Sequence, residues 1–237
     1  MNPTLITAFW RQRAVSPIRV VILFFMVTMP LIMVAALPAM GLAALGEALP
    51  IGMLFAAGMI GQDVGSGVLQ LVFARPVRRW EYVMSRWLAV GIAAAAAIAL
   101  QAGGAWGVLA LRGHAPEAEV MLAFAGGRVL QVFGGAAVMA LLSSLASGLG
   151  DLAIYILLNI VGGLASVAGQ AKGWSVLTQG ADVLRGALAP AIDFDRVAAG
   201  GPHAWLTVVA YLSTIALCLA LASEVMNRRQ LSYASGG

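Results

Sequence analysis

From Val20 to Gly46 the chain carries no charged residue. A helix needs about 20 consecutive apolar residues to cross a hydrocarbon core roughly 30 Å thick. Such a run therefore belongs in a bilayer or in the centre of a much larger core than 237 residues can build. The pattern recurs. Uncharged runs follow Arg86 (Trp87 to Leu111), Arg128 (Val129 to Gly150), Asp151 (Leu152 to Ala171) and His203 (Ala204 to Ser223). A further run, Ala48 to Ala74, is interrupted only by Asp63. Composition agrees, at 61% hydrophobic and 10% charged with 28 glycines, where soluble domains run near 45–50% and about 25%. These figures exclude a disordered chain, a disulfide-rich secreted module and an ordinary cytosolic enzyme. Abundant Gly and Ala suit helices whose backbones approach closely in lipid.

The sequence predicts an all-α, polytopic membrane protein with six transmembrane helices in one domain, residues 1–237. The spans fall at about 20–40, 49–71, 87–111, 129–149, 152–170 and 204–223. In the second span Asp63 lies roughly 21 Å from a start near Leu49, close to the far headgroups. Residues 1–18 form an amphipathic elbow, with Leu5, Ile6, Phe9 and Trp10 on one side and Arg11, Gln12 and Arg13 on the other. Its first apolar run is too long for a cleavable signal. Two outer segments have length, Arg112 to Arg128 and 172–203. In the second, Leu177, Ala181, Leu184 and Leu188 keep helical spacing until Pro190 ends the pattern.

With six spans both termini share a side. That side holds nine basic residues, Arg11, Arg13, Arg19, Arg75, Arg78, Arg79, Arg86, Arg228 and Arg229, while the other holds five. Acids divide four against six, leaving +5 and −1 and matching the chain's +4. The excess of Arg predicts cytoplasmic termini and a plasma-membrane protein. The basic residues make no stripe along a soluble face, which argues against nucleic acid as a partner.

Most catalytic chemistry is missing. A Walker A loop needs a Lys after its glycines, and the only lysine, Lys172, has no such context. The chain is expected to be no enzyme by itself, with no catalytic residue, metal or cofactor of its own. His114 and His203 lack ligand spacing. Cys218 reads as a buried small hydrophobe. An intramembrane serine peptidase would need Ser147 beside His203, yet these stand at opposite membrane faces in the predicted topology. The polar groups inside spans are Gln101, Tyr155 and Asn159, which either line a substrate path or make interhelical hydrogen bonds. Trp106 and Phe133 are apolar candidates for the same path.

The segment Asp63 to Arg86 carries the most information. Gly61 and Gly65 let a neighbouring helix approach. Pro76 disfavours helix at Arg75 and is placed to start a second short helix. Glu81 shares a face with Arg78. A helix–turn–helix rich in guanidinium groups is expected between spans two and three, suited to carboxylates on a partner or to lipid phosphates.

In this segment the chain resembles the permease subunits of type-2 ABC exporters. Their pattern is an acid, three residues, Gly-Thr-Leu, a few apolar residues, Arg-Pro-Val-Ser-Arg and a later Lys. Asp63, Gly67, Leu69, Arg75, Pro76, Val77 and Arg79 match it. Val68 stands for Thr, Arg78 for Ser and Arg86 for Lys. The ending Asn227-Arg228-Arg229-Gln230-Leu231 is also similar. The motif covers about 25 residues; the likeness of topology covers the whole chain. The resemblance implies a permease working as a dimer with a second permease copy, each bound to a separate ABC-type ATPase subunit that holds ATP and Mg. It implies that a cytoplasmic coupling helix between spans two and three docks on that ATPase through Arg75, Pro76, Val77, Arg78, Arg79 and Glu81, with Asp63 and Gly67 as the motif acid and glycine. Uncharged spans are compatible with an apolar or amphipathic cargo. A membrane scaffold or passive channel without an ATPase is the alternative reading.

Overall fold

The computed structural model describes residues 3–14, 16–74, 77–192, 194, 197 and 204–234. Among these residues the chain is helical with no strand. Helix α1 is Pro3–Ala14. Pro17 then opens α2 (Pro17–Ala36) at a position where its missing N–H costs nothing. The helix stops at Leu37, ahead of Pro38, and the chain tightens into a 3₁₀ stretch, Pro38–Leu45, kinked at Gly41.

The second span is not the continuous helix expected over 49–71. It is divided into α3 (Leu49–Ala56), α4 (Gly61–Gly65) and α5 (Val68–Phe73). Gly58 and Gly67, with φ of 66° and 72°, mark the two breaks, since glycine enters the left-handed region without a Cβ penalty. A break at membrane depth survives only if its freed backbone groups are satisfied by protein, and the partners that do so are described below.

Helix α6 runs unbroken from Arg79 to Leu111, about 50 Å at 1.5 Å per residue. The second short helix expected from Pro76 is therefore the first turn of span three. Nothing between Glu81 and Leu111 stops a helix in so Ala-rich a run. Helix α7 is Ala118–Leu145, so the expected start of span four near Val129 is too late and Arg128 lies inside the helix. Then follow α8 (Gly150–Lys172), the amphipathic α9 (Ser175–Leu188) and α10 (Ala204–Ala234). Gly173, at φ 66°, ends α8 with a left-handed cap, and α9 folds back along α8.

Among the described residues six helical stretches are long and apolar enough to cross a membrane: Pro17–Ala36, Pro38–Gly65, Arg79–Leu111, Ala118–Leu145, Gly150–Lys172 and Ala204–Arg228. The protein is all-α and polytopic. Its centre is α6 and α7: 61% of α7's apolar window and 44% of α6's is buried, against 6% for α2. Tyr82, Val83 and Val90 of α6 pack with Ala136, Met139 and Ala140 of α7 and with Leu219, Ala222 and Met226 of α10. Cys218 belongs to this core. The outer helices expose Phe24, Phe25 and Ile32 of α2 and Leu157, Leu164 and Val167 of α8, an apolar surface suited to lipid.

Candidate functional site

The break after α3 rests on the turn between α7 and α8. Three amides freed from the helix ladder find side-chain acceptors there. The Gly58 N–H donates to Asp151 Oδ2 at 2.7 Å, and the Ile60 and Gly61 N–H groups both donate to Ser143 Oγ at 3.0 and 2.9 Å. In return the Gly148 N–H donates to the Gly61 carbonyl at 2.8 Å. Gly61 lies backbone on backbone against this turn. A Cβ there would sit 2.6 Å from the Ala146 carbonyl oxygen, so the residue is fixed by contact. Asp151 is 0% exposed. Its other oxygen accepts from the Leu152 N–H at 2.8 Å, and the start of α8 is an electrostatically favourable place for a carboxylate.

Immediately after the break, α4 carries Asp63 onto the face of α6. Its Oδ2 accepts the Tyr82 hydroxyl at 2.5 Å and a guanidinium N–H of Arg86. The two charges are 3% and 8% exposed, so the pair is held almost entirely out of water. The Arg86 guanidinium also lies over two rings, 4.7 Å from the centroid of Phe9 on α1 and 5.1 Å from that of Tyr82. Phe9 is 1% exposed, and the neighbouring Trp10 indole donates to the Ala89 carbonyl at 2.8 Å. The elbow helix α1 is thus packed into the site. One cluster joins α1, α4 and α6 directly, and through Ser143 and Asp151 it reaches α7 and α8.

Outside this cluster lies the rim expected to meet a partner. Arg75 and Pro76 fall outside the described residues. Val77 is half-buried and packs at the edge of the core. Arg78 is exposed, and its N–H donates to Glu81 Oε2 at 3.4 Å across the first turn of α6. Arg79 reaches Asn227 on α10, donating to its side-chain and backbone oxygens at 3.0 and 3.2 Å, and sits 5.9 Å from the Phe73 ring. Gly67 forms the left-handed turn between α4 and α5 in open space, with nothing within 4 Å of a built Cβ. Its glycine serves the backbone angle alone.

Of the three polar residues inside spans, Gln101 is not brought to Tyr155 and Asn159, which are neighbours on α8. Gln101 is buried on α6, donates to the Met26 carbonyl of α2 at 3.1 Å and accepts from Arg128 of α7 at 3.0 Å. Tyr155 donates to the Leu188 carbonyl of α9 at 3.3 Å. Asn159 bonds one turn back, to the Tyr155 carbonyl at 2.9 Å. Ser147 lies in the turn between α7 and α8, and His203 is outside the described residues. Trp87, also on α6, donates to the Phe133 carbonyl at 2.9 Å and stacks edge-on with the Phe133 ring, which makes Phe133 a packing residue between the central helices.

Four residues carry more of the polar structure than sequence reasoning assigned to them: Tyr82, Ser143, Asp151 and Arg128. The i, i+4 spacing of Tyr82 and Arg86 is a readable signal of a shared helix face. Gly58, Gly61, Gly65 and Gly67 signal a break. Nothing local marks Ser143 as the acceptor for residues more than 80 positions earlier. Arg128 donates to the Gly46 carbonyl, weakly to the Leu45 carbonyl at 3.5 Å, and to Gln101. It borders a cleft of about 610 Å³ that is also lined by Glu119, Phe124 and Gln131.

No protein-family model, curated protein or solved structure matches this chain.

Proposed function

We propose that this chain is the membrane-spanning permease subunit of an ABC exporter, moving an apolar or amphipathic cargo with energy from a separate ATPase subunit that binds ATP and Mg. The observation that supports the reading most is the ion pair of Asp63 and Arg86. It joins the first and last residues of the motif on which the resemblance rests. Between them lie Gly67 at its left-handed turn and the exposed Arg78.

The arrangement suits a lever. Segment 68–79, which carries the exposed Arg78, is the docking element for the ATPase. A displacement there is passed to α6 by Asp63, Tyr82 and Arg86, and to α7 and α8 by the amides held on Ser143 and Asp151. Packed helices move as rigid bodies between discrete arrangements, so a small push at a joint becomes a helix rotation. Nucleotide binding on the partner drives the change only in so far as the partner contacts the two arrangements differently. The permease works as a dimer with a second copy or homologue in the plasma membrane, with both termini, Arg78 and Arg79 on the cytoplasmic side. A scaffold or passive channel would need no such lever.

Affinity purification from detergent extracts tests the reading. A P-loop ATPase is expected to copurify with the native chain and to be lost in an Arg78→Glu/Arg79→Glu variant whose elution profile is unchanged. Opposite charge at a guanidinium site costs both the original pairing and new repulsion, so the loss should exceed about tenfold. An intact, monodisperse native protein that brings down no ATPase would return the chain to the scaffold or channel class. Retention of the ATPase by the variant would move the docking site elsewhere.

A further inference from the structure

A second feature of the elbow is independent of any ATPase. Between α1, α2, α3 and α6 lies a slot of about 200 Å³, walled by Phe9 and Trp10 of α1, Leu23 of α2, Leu54 and Phe55 of α3 and Ala93 of α6. Its lining is almost wholly apolar, and Arg19 stands in it as the single charge. Arg19 is half-buried. Among the described residues it has no hydrogen-bond or ion-pair partner, unlike Arg86 and Arg128. The sequence offers it none nearby, because residues 1–46 contain Arg11, Arg13 and Arg19 and no acid.

A guanidinium taken partly out of water without an anion is costly. An apolar slot of this kind, left empty or wet, forfeits contacts as well. One ligand answers both needs: an anionic head joined to a hydrocarbon tail. Where α2 begins a span, the supply of such molecules is the bilayer itself. We propose that Arg19 and the slot beneath it bind one anionic phospholipid, its phosphate on the guanidinium and one acyl chain between α1, α2 and α6. A forked guanidinium matches phosphate oxygens, and each basic residue near anionic lipid contributes about 1 kcal/mol. Loosely packed α2, with only 6% of its window buried, is the wall a lipid would brace. The bound lipid would also fix α1 over Arg86 from its other side, since Phe9 touches both the slot and the Arg86 guanidinium.

The test uses the full chain in detergent, with binding read by native mass spectrometry and by the shift in thermal midpoint. Dioleoylphosphatidylglycerol, dioleoylphosphatidylcholine and inorganic phosphate are added separately. Phosphatidylglycerol should bind the native protein, and Arg19→Gln should weaken it about fivefold, the loss of one such charge, while phosphatidylcholine changes little. Leu23→Trp, which fills the slot from α2, should remove phosphatidylglycerol binding with Arg19 still present. Ala93→Leu does the same from α6 and replaces that variant if it does not elute as the native protein does. Equal phosphatidylglycerol affinity in Arg19→Gln would overturn the proposal. So would displacement of the lipid by inorganic phosphate at matching concentration, which would mean a bare anion site. Lipid uptake by a folded, slot-filled variant would count against it too. A lipid-free dimer that Arg19→Gln converts to monomer would assign the slot to a second copy and overturn it as well.

Discussion

Two arginines are buried in the central helices, and they are buried differently. Arg86 of α6 faces a carboxylate, Asp63, and closes a neutral cluster with Tyr82. Arg128 of α7 donates to neutral acceptors, the Gly46 and Leu45 carbonyls and the Gln101 amide oxygen, and meets a carboxylate, Glu47, only through space. The two levels are about 22 Å apart, whether measured along α6 from Arg86 to Gln101 or along α7 from Ser143 to Arg128. At the Asp63 level charge is cancelled and the chain is broken, with α4 and α5 hung on side chains from other helices. At the Arg128 level the guanidinium makes no direct ion pair among the described residues; it borders a cleft of about 610 Å³ that Glu119 also lines, and it gathers the end of the 3₁₀ stretch onto α6 and α7. A cancelled pair can hold two moving parts together without a charge left over when they move. A guanidinium bonded to carbonyls fixes a loop in place instead.

The sharpest way to break this comparison is to delete the acid. Asp63→Ala leaves Arg86 buried and unpaired, a change that costs about 3–5 kcal/mol where a buried pair loses one member. The thermal midpoint in detergent should fall accordingly. Asp63→Ala/Arg86→Met should recover much of the loss, because an apolar pair of similar volume often replaces a buried ion pair without penalty. If the double variant is no better than the single one, the two residues do not act as a pair.

Arg128→Met should cost less. It orphans neutral acceptors, and these carry about 1–3 kcal/mol of penalty, reduced here by the open cleft, from which water can reach them. A loss equal to that of Asp63→Ala in the same melt would show that a carboxylate holds Arg128 as strongly as Asp63 holds Arg86, and the contrast between the two levels would fail. Glu47, which interacts with Arg128 through space and accepts a hydrogen bond from Gln131 at 3.4 Å, is the carboxylate that would do so.

The same contrast explains what could be read from the sequence. The α2, α6, α8 and α10 spans are written as uncharged runs, and the architecture follows from length and hydropathy alone. Hydropathy places an arginine at a span's edge because an unpartnered one inside costs about 2.5–3.5 kcal/mol. Arg128 escapes that rule through acceptors on residues 45, 46 and 101, which no local pattern reveals. The second span fails for the same reason in reverse. Its composition permits a helix over 49–71, but Ser143 and Asp151 offer its amides something other than the ladder, and the glycines at 58 and 61 allow the chain to take it. Asp63 stood out in sequence as a charge in an apolar run. Its partner did not, because Arg86 read equally well as a residue obeying the charge rule at the head of span three.

The smallest expected effect separates the pair from the turn that follows it. Two glycines of this region are constrained by unlike forces. At Gly61 a Cβ would press on the Ala146 carbonyl at 2.6 Å, so any side chain must push α4 off the turn between α7 and α8. At Gly67 space is free and only φ, 72°, objects. Gly67→Ala should cost about 1–2 kcal/mol, the left-handed penalty of an L-residue, and Gly67→Asn should recover part of it, since Asn tolerates that region. Gly61→Ala and Gly61→Asn should show no such ranking, both failing by contact. Measured as midpoints in one detergent, a Gly67 series flat from Gly to Ala would mean that α5 is free to rewind without disturbing Asp63. The lever would then end at the ion pair, and α5 could transmit nothing to it.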